Sequence, residues 1–341
     1  MTGIGRRTIG KTSLSVSELG LGGAPLGDLY AEIPEEQARD TVVAAADSPD
    51  VTYFDTAPYY GHGLSEHRFG EVLRSRPRDS FQISTKVGRW LRPAAPGAGK
   101  GPFTGGLKFE GVYDYSYDGT MRAVEQSMAR LALPKIDILL IHDVDVWTHG
   151  DQMEARYKET MEGCYKALEQ LRSEGSVAAI GAGINESDTA TRFARDGDFD
   201  CLLLAGRYTL IEQGALDEFF TVIERKSMSV ISGGVFNSGI LATGAVPGAK
   251  FDYNDAPPEI MARVEKIEAV CKAHNTPLAV ASAQFPLGHP RVASVILGAV
   301  SRAEVERNVA AMSFKVPAGL WSDLKSEGLL RADAPTPGAG A

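Results

Sequence analysis

Four residues that could transfer protons follow three consecutive apolar runs of the chain. Asp55 and Tyr60 lie in the segment DTAPYYG. Lys86 ends the run FQISTK, and His142 ends the run IDILLIH. A phenol exchanges protons readily only when a nearby cation or hydrogen-bond donor lowers its pKa from about 10. The pattern predicts that Asp55 holds Lys86 as a cation and that Lys86 stabilises the Tyr60 phenolate. His142 would then orient a substrate oxygen.

The elements that must position these residues form a repeating pattern of strands and helices. Taken singly, each of the four residues could be a cap, a packed ring or half of an ion pair. Their joint position at three strand ends favours chemistry. The predicted strands are 17–22, 51–56, 81–86, 136–142, 176–183, 201–206, 229–234 and 293–298. The predicted helices are 35–47, 65–75, 119–132, 155–174, 186–195, 213–227, 258–287 with a break near Pro277, and 302–312.

This alternation predicts an α/β protein with the closed (β/α)8 architecture of a TIM barrel. Residues 4–16 precede the first strand and are expected to form a hairpin that caps one end. The long segments 88–118 and 235–257 each follow a strand, so they should lie at the C-terminal face, where active sites of such barrels are found. We expect one barrel domain over residues 1–331 and a disordered tail over 332–341.

An open doubly wound sheet is the alternative architecture. Gly181-Ala-Gly183 follows an apolar run and begins a dinucleotide-binding fingerprint. The third glycine of that fingerprint is replaced by Glu186, and no acidic residue ends a clear second strand about 20 residues later. The closed barrel is therefore the favoured prediction.

Composition limits the kinds of partner. Among 341 residues, 43% are hydrophobic and the net charge is −9, which is typical of a globular protein and disfavours nucleic acid or anionic membranes. Three scattered cysteines and no apolar leader favour a cytoplasmic protein. The spacing of Asp143, Asp145 and His149 could suit a metal, but alternation with valines favours a strand end, so we expect no metal site. The oligomeric state is left open.

The ordered motifs DTAPYYG, STKV and LIHD resemble those of the aldo-keto reductase superfamily, as do ELGLGG near the start and GAVSRAEVERN near the end. The resemblance implies a barrel that binds a nicotinamide cofactor without a Rossmann fold. It makes Asp55, Tyr60, Lys86 and His142 the catalytic tetrad, with Tyr60 transferring the proton.

Three further stretches resemble the D-threo-aldose 1-dehydrogenase branch, which includes L-fucose, L-galactose and pyridoxal 4-dehydrogenases. They are KVGRWLRP (86–93), residues 108–127 and IGAGINE (180–186). The branch implies oxidation of the hemiacetal C1 hydroxyl of an aldose, of the L-fucose or D-arabinose type, to a lactone with NAD. The alternatives are a pyridoxal 4-dehydrogenase, a general NAD(P)H-dependent carbonyl reductase, and a redox-sensing subunit with slow turnover, which the intact tetrad disfavours.

The expected cofactor contacts are carried over from the family only in part. The Gln of strand six and the stacking Tyr of strand seven are missing, so Tyr208 is predicted to supply a ring and the loop after strand seven to wrap the pyrophosphate. The predicted cofactor residues are Gly22, Gly23, Asn185, Tyr208, Gly233, Gly234, Phe236, Asn237, Ser238, Gly239, Ser301, Arg302 and Asn308. The predicted substrate residues are Trp90, Trp147 and Arg207.

The segment after the eighth strand predicts a preference for NAD, with NADP as the alternative. Family members that use NADPH carry cations there, whereas this chain has Gly298, Val300 and Glu304. A carboxylate would repel the 2′-phosphate of NADP. Arg302 and Arg307 are the two cations that could reverse this preference.

Overall fold

A computed structural model describes residues 3–97, 99 and 101–338. Its centre is a closed barrel of eight parallel strands, each hydrogen-bonded to the next along the chain, with the eighth paired to the first. The barrel strands are Leu19–Gly22, Tyr53–Asp55, Gln82–Val87, Ile138–His142, Ala179–Ile184, Cys201–Ala205, Ser229–Gly233 and Val292–Gly298. The predicted (β/α)8 barrel is confirmed, and the open-sheet alternative is wrong.

Strand register places the polar residues at or near the carboxyl ends of neighbouring strands. Asp55 is the register partner of Ser84 on the third strand, and His142 is the partner of Gly183 on the fifth. Lys86 lies between them, near the end of the third strand. Because all eight strands run the same way, their carboxyl ends open at one face of the barrel.

The opposite end of the barrel is closed. An antiparallel hairpin of Arg6–Thr8 and Ser15–Ser17 covers it, as predicted for the segment before the first strand. Ile9 and Val16 are fully buried against the barrel interior. That interior is filled by buried side chains that include Tyr53, Ile138, Leu140, Ala179, Cys201, Leu203, Ile231, Ala293 and Ile296.

Helices surround the barrel and bury a second, larger core against it. They are Glu35–Asp47, Leu64–Leu73, Tyr117–Leu131, Val146–His149, Met153–Glu159, Tyr165–Ser173, Ser187–Asp196, Phe219–Lys226, Ile240–Thr243, Pro258–Ala273, Leu278–Gln284, Arg302–Ser313 and Ala318–Ser326. The break predicted near Pro277 is present, because proline cannot continue the helical hydrogen bonding and disfavours a helical residue before it. A π-helical stretch, Thr160–Cys164, interrupts the predicted helix 155–174.

Two hairpins stand on the open face within the predicted long loops. Arg89–Pro93 pairs with Phe109–Tyr113, and Lys250–Phe251 pairs with Asn254–Asp255. The prediction of a disordered tail from 332 is wrong for residues 332–338. Ala334 and Thr336 are buried, and the backbone of Thr336 packs on Gly288. Residues 339–341 lie outside the described residues.

Candidate active site

The predicted tetrad assembles at the open face of the barrel. Lys86 Nζ donates to both carboxylate oxygens of Asp55, at 2.9 and 2.8 Å, and to the carbonyl of Thr56 at 2.9 Å. The same nitrogen lies 5.1 Å from the centre of the Tyr60 ring. The rings of Tyr60 and His142 are 6.0 Å apart and nearly perpendicular. The structure thus brings all four residues to one cavity.

Two neighbouring hydroxyl groups support the Lys86–Asp55 pair. Ser84 Oγ donates to Asp55 Oδ1 at 2.6 Å, and the Tyr53 hydroxyl lies 2.8 Å from the same Oγ. Asp55 is 3% exposed and Lys86 is 1% exposed. Removing one partner of such a buried pair leaves an uncompensated charge, which costs about 3–5 kcal/mol. The three hydrogen bonds of the ammonium group fix its position beside the Tyr60 ring.

The protonation of Tyr60 differs from the sequence prediction. Burial, followed by the negative charges of Asp55 and Asp143, raises the pKa of Tyr60 well above 10. The positive charge of Arg89 lowers this pKa, but by less than burial and the two carboxylates raise it. In the protein without ligands the Tyr60 side chain is a protonated phenol at neutral pH.

His142 is a neutral imidazole in this site. Burial and the positive charges of Arg89 and Lys86 hold the pKa of His142 well below 6.5. The hydroxyl of Tyr115 donates to the His142 carbonyl at 3.0 Å and fixes its backbone. A neutral imidazole has one N–H donor and one acceptor nitrogen, so it can orient a substrate hydroxyl without adding charge.

Sequence reasoning missed Arg89, a buried cation beside the tetrad. Its guanidinium lies between the rings of Tyr59 and Tyr113, 4.3 and 4.6 Å from their centres, and donates to Asp143 Oδ2 at 2.7 Å. The other Asp143 oxygen accepts from Asn185 Nδ2 at 3.1 Å. The signal in the sequence was a charged residue directly after the turn that follows the third strand.

The tetrad opens into a cavity of about 400 Å³. Gly22 and Gly23 line it from the first barrel strand, and Asn185 lines it from the end of the fifth. The loop after the seventh strand contributes more of the predicted residues. They are Gly233, Gly234, Phe236, Asn237, Ser238 and Gly239. Tyr30 and Tyr253 also line the cavity, and no periodicity or motif in the sequence pointed to them.

The backbone-rich wall of the cavity fits a nicotinamide cofactor. At Gly183 a Cβ would project beside Lys86 Cε at 3.4 Å, so its absence leaves room next to the tetrad. Asn237 is buried, with Nδ2 donating to the Gly206 carbonyl at 3.1 Å and Oδ1 without a partner in the described part of the chain. An unpaired buried acceptor is suited to a hydroxyl or amide donor of a ligand.

Three predicted cofactor residues near the last barrel helix do not line the cavity. Ser301 caps the helix Arg302–Ser313 by accepting from the Glu304 amide at 3.3 Å. The Arg302 guanidinium pairs with Asp40, at 3.1 Å from Nε. Asn308 Nδ2 donates to the carbonyl of Gly298 at 3.2 Å.

The wall in that region is made instead by Gly298, Ala299, Val300 and Glu304. Glu304 accepts from the Val300 amide at 2.8 Å, which turns its carboxylate toward the helix start.

The predicted role of Tyr208 is wrong. Its ring is fully buried against Phe220, Phe285 and His289, with centres 4.6, 5.1 and 6.1 Å away. The sixth strand ends at Ala205, and Gly206, with φ of +70°, turns the chain away from the cavity. Glycine adopts this conformation without the strain another residue would have.

The predicted substrate residues do not line the cavity. Trp90 donates from Nε1 to Asp114 at 3.0 Å, and Arg122 covers its ring from the outer helix. Arg207 bonds the Asn185 carbonyl at 2.8 Å and Asp252 at 3.0 Å.

Trp147 lies at the rim, 54% exposed. Its ring is 5.9 Å from that of Tyr253, in an edge-to-face arrangement.

Metal binding and membrane crossing both bear on function. Within residues 3–97, 99 and 101–338, no three or more His, Cys, Asp or Glu side chains are grouped so that they could hold a metal ion. Asp145 caps the helix Val146–His149 by accepting from Thr148 at 2.9 Å, and Asp143 pairs with Arg89. None of the helices in the same residues has the length and apolar character needed to cross a membrane.

Comparison with known proteins identifies relatives over nearly the whole chain. Pyridoxal 4-dehydrogenase of Microbacterium luteolum is 41% identical over 336 residues, covering 95% of this chain and 98% of the relative. D-threo-aldose 1-dehydrogenase of Pseudomonas sp is 36% identical over 332 residues, covering 95% and 96%. The solved structure of an aldo-keto reductase from Bacillus halodurans, in its holo form, covers 96% of this chain and 97% of that one. It superposes with a TM-score of 0.76 at 23% identity, a likeness of fold.

The sequence profile of the Aldo/keto reductase family matches residues 18–326. This match spans all eight barrel strands and the four tetrad residues. The chain therefore belongs to the aldo-keto reductase family and is an oxidoreductase that works with a nicotinamide cofactor.

Proposed function

We propose that this enzyme oxidises the hemiacetal C1 hydroxyl of an aldose, of the L-fucose or D-arabinose type, to a lactone with NAD. The observation that carries the proposal is the arrangement of Tyr60 and a neutral His142 on one cavity wall above the buried Lys86–Asp55 pair. The similarity to D-threo-aldose 1-dehydrogenase supports the sugar class.

The residues of this chain divide the chemistry between them. His142 hydrogen-bonds the reacting oxygen and sets its direction. Tyr60, as phenolate, takes the proton from the hemiacetal hydroxyl. Lys86, which is held by two hydrogen bonds to Asp55, stabilises the negative charge that passes between the two oxygens.

A bound nicotinamide would supply the acceptor for the hydride of the same carbon, and loss of this hydride and of the hydroxyl proton would leave a lactone. Gly22, Gly23 and the loop from Gly233 to Gly239 would hold it through backbone groups. The free Oδ1 of Asn237 would accept a hydrogen bond from it. Asn185, which also lines the cavity, donates to Asp143.

A pyridoxal 4-dehydrogenase is the second candidate. The relative with that name is 41% identical to this chain. Three aromatic side chains, Tyr30, Trp147 and Tyr253, stand around the cavity mouth and are more than half exposed. They would pack against a pyridine ring as readily as against a sugar face. Pyridoxal also forms a cyclic hemiacetal, so the roles of Tyr60 and His142 would not change.

NAD is the proposed cofactor rather than NADP. Glu304 lines the cavity, whereas Arg302 lies outside it and is bound by Asp40. Arg307 also lies outside the cavity and forms a long, exposed ion pair with Glu304 at 3.6 Å. A carboxylate beside the site expected for the 2′-phosphate would repel NADP by about 1 kcal/mol at a solvated surface. The cytoplasmic location stays a prediction from the sequence.

A substrate panel tests the proposal. Steady-state kcat/KM is measured for L-fucose, D-arabinose, L-galactose and pyridoxal, each with NAD and with NADP at one ionic strength. We expect the highest value for an aldose with NAD. A higher value for pyridoxal would select the second candidate. Activity with NADPH and simple aldehydes, without oxidation of any member of the panel, would identify a general carbonyl reductase and overturn both proposals.

A further inference from the structure

Asp143 carries a charged group on the cavity wall that the chemistry of Tyr60 and His142 does not use. Its side chain is 13% exposed, and the residue lines the cavity directly after His142. One carboxylate oxygen accepts from Arg89 at 2.7 Å, and the other accepts from Asn185 at 3.1 Å. His142 Nε2 is 3.5 Å from the second oxygen. The carboxylate is therefore within reach of the region where the reacting oxygen must lie.

The position of this carboxylate is set by a rigid support. Arg89 is 4% exposed and is held between two tyrosine rings, and its Nη2 also contacts the Tyr113 hydroxyl at 3.1 Å. Its Nε and Nη1 are buried without hydrogen-bond partners in the described part of the chain. Asp143 is thus the salt-bridge partner of a desolvated cation, and that cation orients its carboxylate.

The backbone at Asp143 is also unusual. Its φ is +51°, in the left-handed region that few residues other than glycine adopt. The Asp143 amide donates to the Gly183 carbonyl at 3.1 Å, and Asn185 reaches back to its side chain. Strained residues of this kind persist where the surroundings fix them, and they concentrate at ligand sites.

The Asp143 carboxylate can accept more hydrogen bonds than its protein partners donate. An ionised carboxylate is an acceptor with about four lone-pair sites. Arg89 and Asn185 each occupy one of them, and the carboxylate, which lines the cavity, keeps capacity for a further donor. The remaining partner must be a donor, and in a sugar beside His142 the nearest donor is the hydroxyl next to the reacting carbon.

We propose that Asp143 accepts a hydrogen bond from the 2-hydroxyl of the aldose and so selects 2-hydroxy hemiacetals over 2-deoxy ones. Arg89 acts in this as a positioning residue that fixes the carboxylate. The inference rests on the proposed function, because it assumes an aldose in the cavity.

The test pairs removal of the hydroxyl with removal of the carboxylate. For wild type, kcat/KM is compared between D-arabinose and 2-deoxy-D-ribose, its 2-deoxy form, or between whichever aldose the panel identifies and its 2-deoxy form. A hydrogen bond to a charged group predicts a preference of about 10- to 150-fold for the 2-hydroxy sugar. In Asp143→Ala we expect the two sugars to differ by less than about threefold.

Two further variants control for misfolding and for a non-specific loss of activity. Asp143→Asn keeps the shape and one acceptor oxygen, so it should fold like wild type and show an intermediate preference. Asp145→Asn alters the neighbouring carboxylate, which also contacts Asn185 but does not line the cavity, and it should keep the full preference. Cofactor binding, measured by the quenching of protein fluorescence, should persist in all three variants.

The outcomes separate this inference from the function on which it rests. If wild type oxidises the aldose and its 2-deoxy form equally, or if the Asp143 variants lose activity equally on both sugars, Asp143 has only a structural role and the inference fails alone. If no aldose is oxidised and pyridoxal is, the inference fails together with the aldose proposal.

Discussion

The two sides of the cavity are lined by different kinds of chemical group. On the side of the second, third and fourth barrel strands, the wall consists of ionised or polar side chains, each fixed by another. Examples are the Lys86–Asp55 pair and the Asp143–Arg89 pair. On the side of the first, seventh and eighth strands, the wall is largely glycine and exposed backbone, with Gly23, Gly234 and Gly298 among its members.

The difference matches what each side is proposed to bind. A reacting carbon and its oxygen are small, so a few groups fixed to a fraction of an ångström determine the chemistry. A nicotinamide cofactor is long and polar, and it is bound by many backbone groups that approach closely where no Cβ intervenes. Side-chain identity therefore matters most on the first side, and side-chain absence matters most on the second. Four predictions test this contrast, from the largest expected effect to the smallest.

Removing the Tyr60 hydroxyl should have the largest effect. Tyr60→Phe keeps the ring but removes the proton acceptor, so kcat should fall by about 10²–10⁴-fold while NAD affinity stays within about twofold. The measurement is steady-state kcat together with NAD binding by fluorescence titration. Tyr157→Phe, which removes a hydroxyl bonded to Asp196 on the outside of the barrel, serves as the matched control and should retain activity. More than a tenth of wild-type kcat in Tyr60→Phe would refute the assignment.

The pH dependence should differ between the two reaction directions. Oxidation needs the Tyr60 phenolate, and burial with the Asp55 charge raises the pKa of this phenol above 10. Below that pKa the fraction of phenolate rises with pH, so kcat/KM for sugar oxidation should increase by up to about tenfold per unit between roughly pH 7 and pH 9. Carbonyl reduction uses the phenol and should stay nearly constant over the same range.

His142 adds no second transition in that range, because its pKa lies well below 6.5. An oxidation rate independent of pH would indicate another base or a rate-limiting release step.

Alanine substitutions at two glycines of the fifth barrel strand should affect stability and ligand binding separately. A Cβ at Gly181 would lie 2.1 Å from the carbonyl oxygen of Cys201, so Gly181→Ala should lower the free energy of unfolding by about 3 kcal/mol. A Cβ at Gly183 would meet Lys86 Cε at 3.4 Å, an ordinary contact, and project into the cavity. Gly183→Ala should keep its stability within about 1 kcal/mol and raise KM about tenfold.

Urea denaturation and steady-state kinetics on both glycine variants make this comparison. Equal stability of the two variants would contradict the packing argument, and an unchanged KM in Gly183→Ala would place the ligands elsewhere in the cavity.

Neutralising Glu304 should have the smallest effect. Glu304→Gln keeps an acceptor for the Val300 amide but removes the charge facing the cavity. The ratio of kcat/KM for NADP to that for NAD should rise about fivefold, the equivalent of about 1 kcal/mol. Glu306→Gln on the same helix is exposed and should not change the ratio. A ratio that is also unchanged in Glu304→Gln would mean that the adenosine end is bound away from this carboxylate.

The tetrad could be predicted from the sequence because each member lies at a strand end or in the turn directly after one. Parallel strands in a barrel all end at one face, so Asp55, Lys86 and His142 had to converge once the strands were identified. The raised pKa of Tyr60 could not be predicted. It depends on how deeply the phenol is buried and on how near it lies to Asp55 and Asp143. Burial and the distance to Asp143 are set by segments far apart in the chain.

The aromatic and cationic residues outside the motifs show where the sequence prediction and the structure differ. Tyr208 and Trp90 were predicted at the cavity from their nearness in sequence to strand ends, and both pack elsewhere. Tyr253 and Arg89 stand at or beside the cavity because hairpins fold back over the open face.

By itself the sequence determined the barrel, its open face and the four residues that meet there. Strand and helix periodicity is a local property that repeats along the chain, and the parallel strands of a barrel all end at one face. Only the tertiary structure decided which loop residues reach the cavity, and only it set the charge state of Tyr60 and the pairing of Arg89 with Asp143. The path of a long loop and the local dielectric depend on contacts between distant segments, and no periodic pattern records those contacts.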